Sequence, residues 1–185
     1  MTIVFPLRRA FVALPLDEEA RVAFEDLQQS LAAYADILGF QNPQTPHLTL
    51  RFWDTLMEIE YRQIVAASAS IAQRTTPFTV AVTGPELFSV RGEDRVLFLG
   101  VQFSPELAAL KKLCPWQNPP GKPFHPHITV ARIRHAGRFQ RVRKDVVKRL
   151  DGAEFSIRFT CLRVYAEIDG HRQTALETFP FSARS

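Results

Sequence analysis

The chain has 185 residues, a formal net charge of +4 and 46% hydrophobic residues. That composition excludes a disordered polymer and allows one substantial core without disulfides. The mild basic excess favours an anionic partner without naming one.

Residues 1–19 read MTIVFPLRRAFVALPLDEE. Arg8 and Arg9 fall between two short apolar pieces, and Pro6 and Pro15 interrupt them, unlike a secretory leader. No stretch reaches the roughly 18 to 20 apolar residues that a membrane span needs. The expectation is a soluble, cytoplasmic protein that makes no membrane contact.

The first predicted strand covers residues 9–16, RAFVALPL, closed by Pro15. Asp17 suits a helix N-cap. Apolar residues at Val22, Phe24, Leu27, Leu31, Tyr34 and Leu38 then follow a helical period, with Gly39 as the stop. After the connector QNPQTP comes a strand over 47–53, HLTLRFW, and a helix over 58–74. A strand over 78–83 ends in a turn at Gly84 and Pro85.

The pattern then restarts. Residues 95–103 read as a strand, and Ser104 and Pro105 open a helix as Ncap and N1. A Pro-rich connector leads to a strand over 127–133, HITVARI. A basic helix over 138–150 and strands over 155–168 and 174–181 complete the chain. The two halves, 8–85 and 95–181, read as diverged repeats within one two-lobed domain spanning 1–185. A period of about 85 residues is too long for a solenoid. Short strands alternating with helices fit either an α/β or an α+β class.

One strand in each half opens with the same device: Pro46-His47-Leu48-Thr49-Leu50 and Pro126-His127-Ile128-Thr129-Val130. In an extended chain, side chains two apart share a face. Each strand thus pairs an imidazole with a hydroxyl on one face and carries an aliphatic pair on the other. Opening a cyclic phosphodiester needs a base for water and an acid for the leaving oxygen. Histidine can serve in either state near neutral pH. Threonine hydroxyls can donate to phosphoryl oxygens as charge builds there. This logic requires no metal and no cofactor.

The paired His-x-Thr-x motifs resemble those of the 2H phosphoesterase superfamily. The whole chain resembles its LigT-like branch, the RNA 2′,3′-cyclic phosphodiesterases also called 2′-5′ RNA ligases. RRAFVALPL, PHLTLRF, FTVAVTGPELF, RVLFLGV and FHPHITVARI carry the likeness. It implies an α+β, bilobal fold: two pseudo-symmetric lobes whose antiparallel sheets line a central cleft, with helices outside. It implies hydrolysis of a 2′,3′-cyclic phosphate on an RNA or nucleotide to a 2′-phosphomonoester, with weak 2′-5′ ligation as a side reaction. Carried onto these positions, His47 donates a proton to the 3′ oxygen, His127 activates water, and Thr49 and Thr129 bind phosphate. The sequence departs from relatives at Phe52-Trp53-Asp54 and in the segment YAEIDGHRQTALETF, both near loops that shape a cleft.

Further candidates are graded by phase. Arg51, four residues after His47, shares its face by strict alternation; Arg132, five after His127, does not. The resemblance keeps both as phosphate binders. Phe124 and Trp116 are the candidates for base stacking. His125, His127 and His135 lack nearby carboxylates, which argues against a metal site. The basic run from Arg132 to Arg149 is either a solvated face or a track for an RNA backbone. Cys114 and Cys161 stand far apart and read as reduced thiols. A monomer is expected, because the duplication already supplies two sides of a cleft. Two readings compete with the leading one. They are a binding module for RNA ends or nucleotides, and a related phosphodiesterase for 2′-5′ oligonucleotides or a cyclic-phosphate metabolite.

Overall fold

The computed structural model describes residues 3–116 and 123–182. The chain order begins β1 (Leu7–Pro15), α1 (Glu18–Ser30), β2 (Leu38–Phe40), β3 (His47–Leu56), α2 (Glu58–Gln73), β4 (Phe78–Val90) and β5 (Glu93–Val101). It continues with α3 (Pro105–Leu113), β6 (His127–Ile133), α4 (Ala136–Leu150), β7 (Ser156–Phe159), β8 (Cys161–Ile168) and β9 (His171–Pro180). The fold is α+β. Its strands run in the order β7-β4-β5-β6-β3-β1-β8-β9, every pairing antiparallel, with β2 added to β6. No helix among the described residues is long and apolar enough to cross a membrane.

Two lobes meet where β3 touches β6. One comprises β3-β1-β8-β9 and the other β6-β5-β4-β7. The C-terminal hairpin therefore returns to the N-terminal strand, and the second lobe lies between them in sequence. The helices pack on one face of the sheet. Leu48, Leu50, Ile128 and Val130 are buried there in one core with Phe24 of α1, Ile64 of α2, Leu110 of α3 and Phe139 of α4. Full burial of each such side chain stabilises the fold by roughly 1.5–3 kcal/mol. Phe11, Ala13 and Tyr165 form a separate small cluster.

Local sequence explains most element ends. The Asp17 carboxylate accepts from the Ala20 amide at 2.9 Å and caps α1. Ser104 caps α3 the same way, with Pro105 in its first turn. Arg91 and Gly92, both at positive φ, turn β4 into β5.

Three expectations change. The first helix stops at Ser30, and Leu38 to Phe40 form a strand instead of its last turn. The reason lies on β6: it pairs with β3 only at Ile128, so its remaining backbone groups need another partner. β2 supplies it, pairing Leu38 with Ile133 and Phe40 with Ala131. Second, β4 does not turn at Gly84 but passes through it at φ 109 with an irregular register, and continues to Val90. Third, the strand expected over 155–168 breaks at Thr160 into β7, which pairs with β4, and β8, which pairs with β1.

Candidate active site

Leu48 and Ile128 are antiparallel partners, the one recorded pair between β3 and β6. Extending that register by one residue sets His47 opposite Thr129 and Thr49 opposite His127. The two motifs therefore meet head to tail across a local two-fold, with both imidazoles and both hydroxyls opposite the helix-covered face.

Each motif is anchored alike. The Pro46 carbonyl accepts from the Leu16 amide at 3.2 Å, and the Pro126 carbonyl accepts from the Val101 amide at 3.1 Å. The His47 Nδ1 lies 2.7 Å from the Thr45 carbonyl, and the His127 Nδ1 lies 2.7 Å from the His125 carbonyl. A carbonyl only accepts, so each Nδ1 carries a proton. Each neutral ring is thereby fixed in the tautomer that leaves Nε2 with a lone pair.

A bulge follows each threonine. On β3, Ala13 pairs with Thr49 and Val12 with Arg51, leaving Leu50 extra. On β6, Phe98 pairs with Thr129 and Leu97 with Ala131, leaving Val130 extra. The extra carbonyls are satisfied from outside the ladder: Leu50 accepts from Lys111 Nζ, and Val130 from the Gln41 amide and the buried Gln28 amide group. The bulges reverse the alternation beyond them. Arg132, which strict alternation turned away, lines the cleft with His47, Thr49 and Thr129. Arg51, which had the better phase, does not line this cleft; it lines the adjoining space together with Thr49 and His127 and lies 5.8 Å over the Trp53 ring. Phe52 takes the place next to Thr49 that alternation gave to Arg51.

The cleft of about 430 Å³ contains His47, Thr49, Thr129 and Arg132, together with Arg9, Arg134, Arg172, Gln41 and Gln173. A wider space of about 1000 Å³ adjoins it at Thr49 and Phe52 and contains His125, His127, Phe88, Trp53 and Phe124. The two imidazoles thus stand on different sides of Thr49. Their surroundings differ. His47 stacks on Phe11 at 4.6 Å, and Phe11 stacks on Tyr165. Phe88 and Phe98 meet His127 edge-on at 4.9 and 5.1 Å. Burial pushes His47 down to about 4, and the nearby His127 adds to the effect. Burial also lowers His127, opposed by its backbone hydrogen bond and by Glu86.

Of the other expected residues, Phe124 lines the wider space, packs on Phe103 and lies under the Lys111 ammonium at 4.9 Å. Trp116 packs edge-on against Trp53 at 5.9 Å and lines neither space. The rest of the Pro-rich connector, 117–122, lies outside the described residues. His125 pairs with Glu86 at 3.2 Å beside His127, while His135 begins α4. Among the described residues, no group of three or more His, Cys, Asp or Glu could hold a metal ion. The basic helix α4 packs on the core face, and three of its arginines are engaged there. Arg138 binds Asp36, Arg143 binds Asp94, and Arg149 reaches the Ser30 carbonyl. Of the remaining cleft residues, Arg134 belongs to the basic run read from the sequence, whereas Arg9, Arg172 and Gln173 were not expected there; none lies on a His-x-Thr motif.

An antiparallel sheet that sets two His-x-Thr strands side by side, with their histidines in two adjoining spaces that share Thr49, defines a phosphoesterase of the two-histidine class. The chain belongs to the 2′-5′ RNA ligase superfamily, whose family model matches residues 15–169. Among curated relatives, the RNA 2′,3′-cyclic phosphodiesterase of Methanothermobacter thermautotrophicus is 27% identical over 131 residues, covering 68% of this chain and 71% of that protein. The enzyme of the same name from Archaeoglobus fulgidus is 26% identical over 132 residues, covering 68% and 73%. Among solved structures, TT0787 of Thermus thermophilus superposes with a TM-score of 0.71 at 24% identity, covering 94% of this chain and 97% of that one. E. coli LigT in apo form gives 0.65 at 21% identity, covering 96% and 99%.

Proposed function

We propose that this chain hydrolyses a 2′,3′-cyclic phosphate at the end of an RNA or nucleotide to a 2′-phosphomonoester, without a metal or cofactor. The observation that carries the reading is the matched Nδ1 anchoring, which fixes two neutral rings around paired threonines and leaves each Nε2 without a hydrogen-bond partner among the described residues. The names of the curated relatives support the reaction, and the E. coli LigT complex with 3′-AMP supports a nucleotide ligand.

In this reading Thr49 and Thr129 donate to the non-bridging oxygens, and Arg132 balances their charge. His127 Nε2 takes a proton from water as the water oxygen bonds to phosphorus. The bond from phosphorus to O3′ breaks on the opposite side, and protonated His47 gives its Nε2 proton to O3′. One water is consumed; the product keeps its phosphate on O2′. His47 is neutral in the empty cleft at neutral pH. The arriving phosphate anion favours its charged form and works against burial. A 5′-hydroxyl in place of water would give a 2′-5′ linkage, and the wider space beside His127 has room for the strand that carries it. A single chain supplies both motifs, so the monomer is the catalytic unit.

The test is a product-resolved assay of cyclic-phosphate substrates, with EDTA present throughout. A 2′-phosphate product is expected. His47→Ala and His127→Ala should each lower kcat by about 10²–10⁴-fold while remaining folded. Wild-type turnover in either variant would refute the two-histidine mechanism, and tight binding without any product would favour a binding module instead.

A further inference from the structure

The cleft wall beside His47 carries more positive charge than one reacting phosphate needs. Arg9, Arg132, Arg134 and Arg172 all line it, and no carboxylate among the described residues does. Arg132 belongs with the reacting phosphate, two positions beyond the bulge on the His127 strand. Arg134 is engaged along β2, where its guanidinium lies against Gly39 and reaches the Ala35 carbonyl. Arg9 and Arg172 come from the other direction, on β1 and β9, and have no part in the mechanism above.

Both are held at the rim by unusual local structure. Arg9 sits at φ 49, inside a strand, where β1 bulges against β8 between Arg8 and Phe11. L side chains rarely adopt this backbone conformation, and observed outliers of this kind concentrate at ligand sites. Arg172 precedes Gln173, which stands at φ 62. The Gln173 side chain accepts from the Thr45 hydroxyl at 2.7 Å. Thr45 is the residue whose carbonyl anchors His47. The β8–β9 hairpin is thus docked onto the His47 loop, which fixes Arg172 at the cleft edge.

The two guanidiniums share one acid. Arg9 Nε lies 3.7 Å and Arg172 Nε 3.5 Å from the same Glu167 oxygen. One carboxylate offsets one of two positive charges. It engages Nε of each side chain and leaves the outer Nη donors for an anion. Arg9 lies two residues along β1 from Phe11, whose ring stacks on His47. Two residues of chain reach at most about 7 Å, the scale of one nucleotide unit.

We propose that Arg9 and Arg172 form a second anion subsite, which takes the phosphate on the 5′ carbon of the nucleotide that carries the reacting cyclic phosphate. The inference rests on the phosphodiesterase reading and deepens it. In-line displacement places the ribose on the leaving-group side, next to His47, which is the side these arginines flank. The favoured substrate is then an oligonucleotide end or a 5′-phosphorylated nucleotide, rather than a nucleoside cyclic phosphate with no second charge.

The experiment compares three substrates: adenosine 2′,3′-cyclic phosphate, its 5′-phosphorylated form, and the dinucleotide ApA ending in a 2′,3′-cyclic phosphate. The wild type should favour the latter two by about tenfold or more in kcat/KM, chiefly through KM. In Arg9→Gln/Arg172→Gln that ratio should fall towards one, and Arg172→Lys should retain part of it. A preference for the dinucleotide alone assigns the subsite to a chain-internal phosphodiester; a shared preference assigns it to the phosphate itself. Equal use of all three substrates by the wild type, or an unchanged ratio in the double variant, overturns the subsite. If no cyclic phosphate is turned over, calorimetry with adenosine 3′,5′-bisphosphate and adenosine 3′-monophosphate keeps the two readings apart. An arginine-dependent preference for the bisphosphate sustains the subsite while the phosphodiesterase reading fails; equal affinities overturn the subsite.

Discussion

Leu48 and Ile128 pair across the junction of the two lobes, and each is the residue that follows a motif histidine. A buried apolar contact therefore sets the spacing of the polar groups on the opposite face. Both side chains are fully buried, so neither strand can slide without exposing its aliphatic pair. The bulge beyond each threonine then determines which later side chains reach the cleft.

The bulges lead to a direct comparison of two arginines. Arg132→Gln should lower kcat/KM by about 10–100-fold, the scale of one lost charge-assisted hydrogen bond. Arg51→Gln should lower it by no more than about threefold, the scale of a lost half-buried cation–aromatic contact. Steady-state kinetics on one cyclic-phosphate substrate decide the matter, and the reverse ranking would refute the bulge argument.

The depressed histidines predict an acidic optimum. In the proposed mechanism activity needs one imidazole neutral, which limits the acid side, and one protonated, which limits the alkaline side. Both groups lie below the ordinary 6.5, His47 at about 4. The bell of kcat/KM should therefore peak below pH 6.5. Bound phosphate favours the charged rings, so the kcat bell should be displaced upwards from that of kcat/KM. A kcat/KM optimum above pH 7 would contradict the burial of the two rings.

The same burial has a stability consequence. Between pH 6.5 and about 4 the unfolded chain binds a proton at His47 that the folded chain does not. Folding stability must therefore fall as pH falls through that window, and His127 adds in the same direction. Thermal melts at pH 7.5 and 5.0 should show a smaller drop in Tm for His47→Ala than for the wild type. Equal drops would show that His47 titrates normally in the fold.

Gly100 is the register partner of His127 on β5, and an added Cβ would overlap the side chains of Glu86 and Thr83. Gly100→Ala should cost about 1–3 kcal/mol of stability by overpacking. It should also push Glu86 off His125, whose carbonyl anchors His127. Chemical denaturation and kcat measured together test this, and an unperturbed variant would mean that Glu86 moves aside freely.

Much of this protein is legible in the sequence because its signals are local. Asp17, and Ser104 with Pro105, mark helix starts by satisfying nearby amides. The repeated Pro-His-apolar-Thr-apolar pattern fixes which side chains share a face. That pairing reveals both histidines and both threonines without any knowledge of strand order.

What the tertiary structure alone decides is non-local. Leu38 to Phe40 become a strand because distant β6 leaves its edge unpaired beyond Ile128. Arg132 joins His47 in the cleft and Arg51 turns to the adjoining space with His127 because bulges break a two-residue period that the sequence cannot show interrupted. Arg9 and Arg172 meet at one carboxylate because the C-terminal hairpin returns to the first strand. The acidity of His47 comes from the depth of its place against Phe11 and Tyr165. A histidine's identity is written in the chain, but its proton affinity depends on what the fold packs around it.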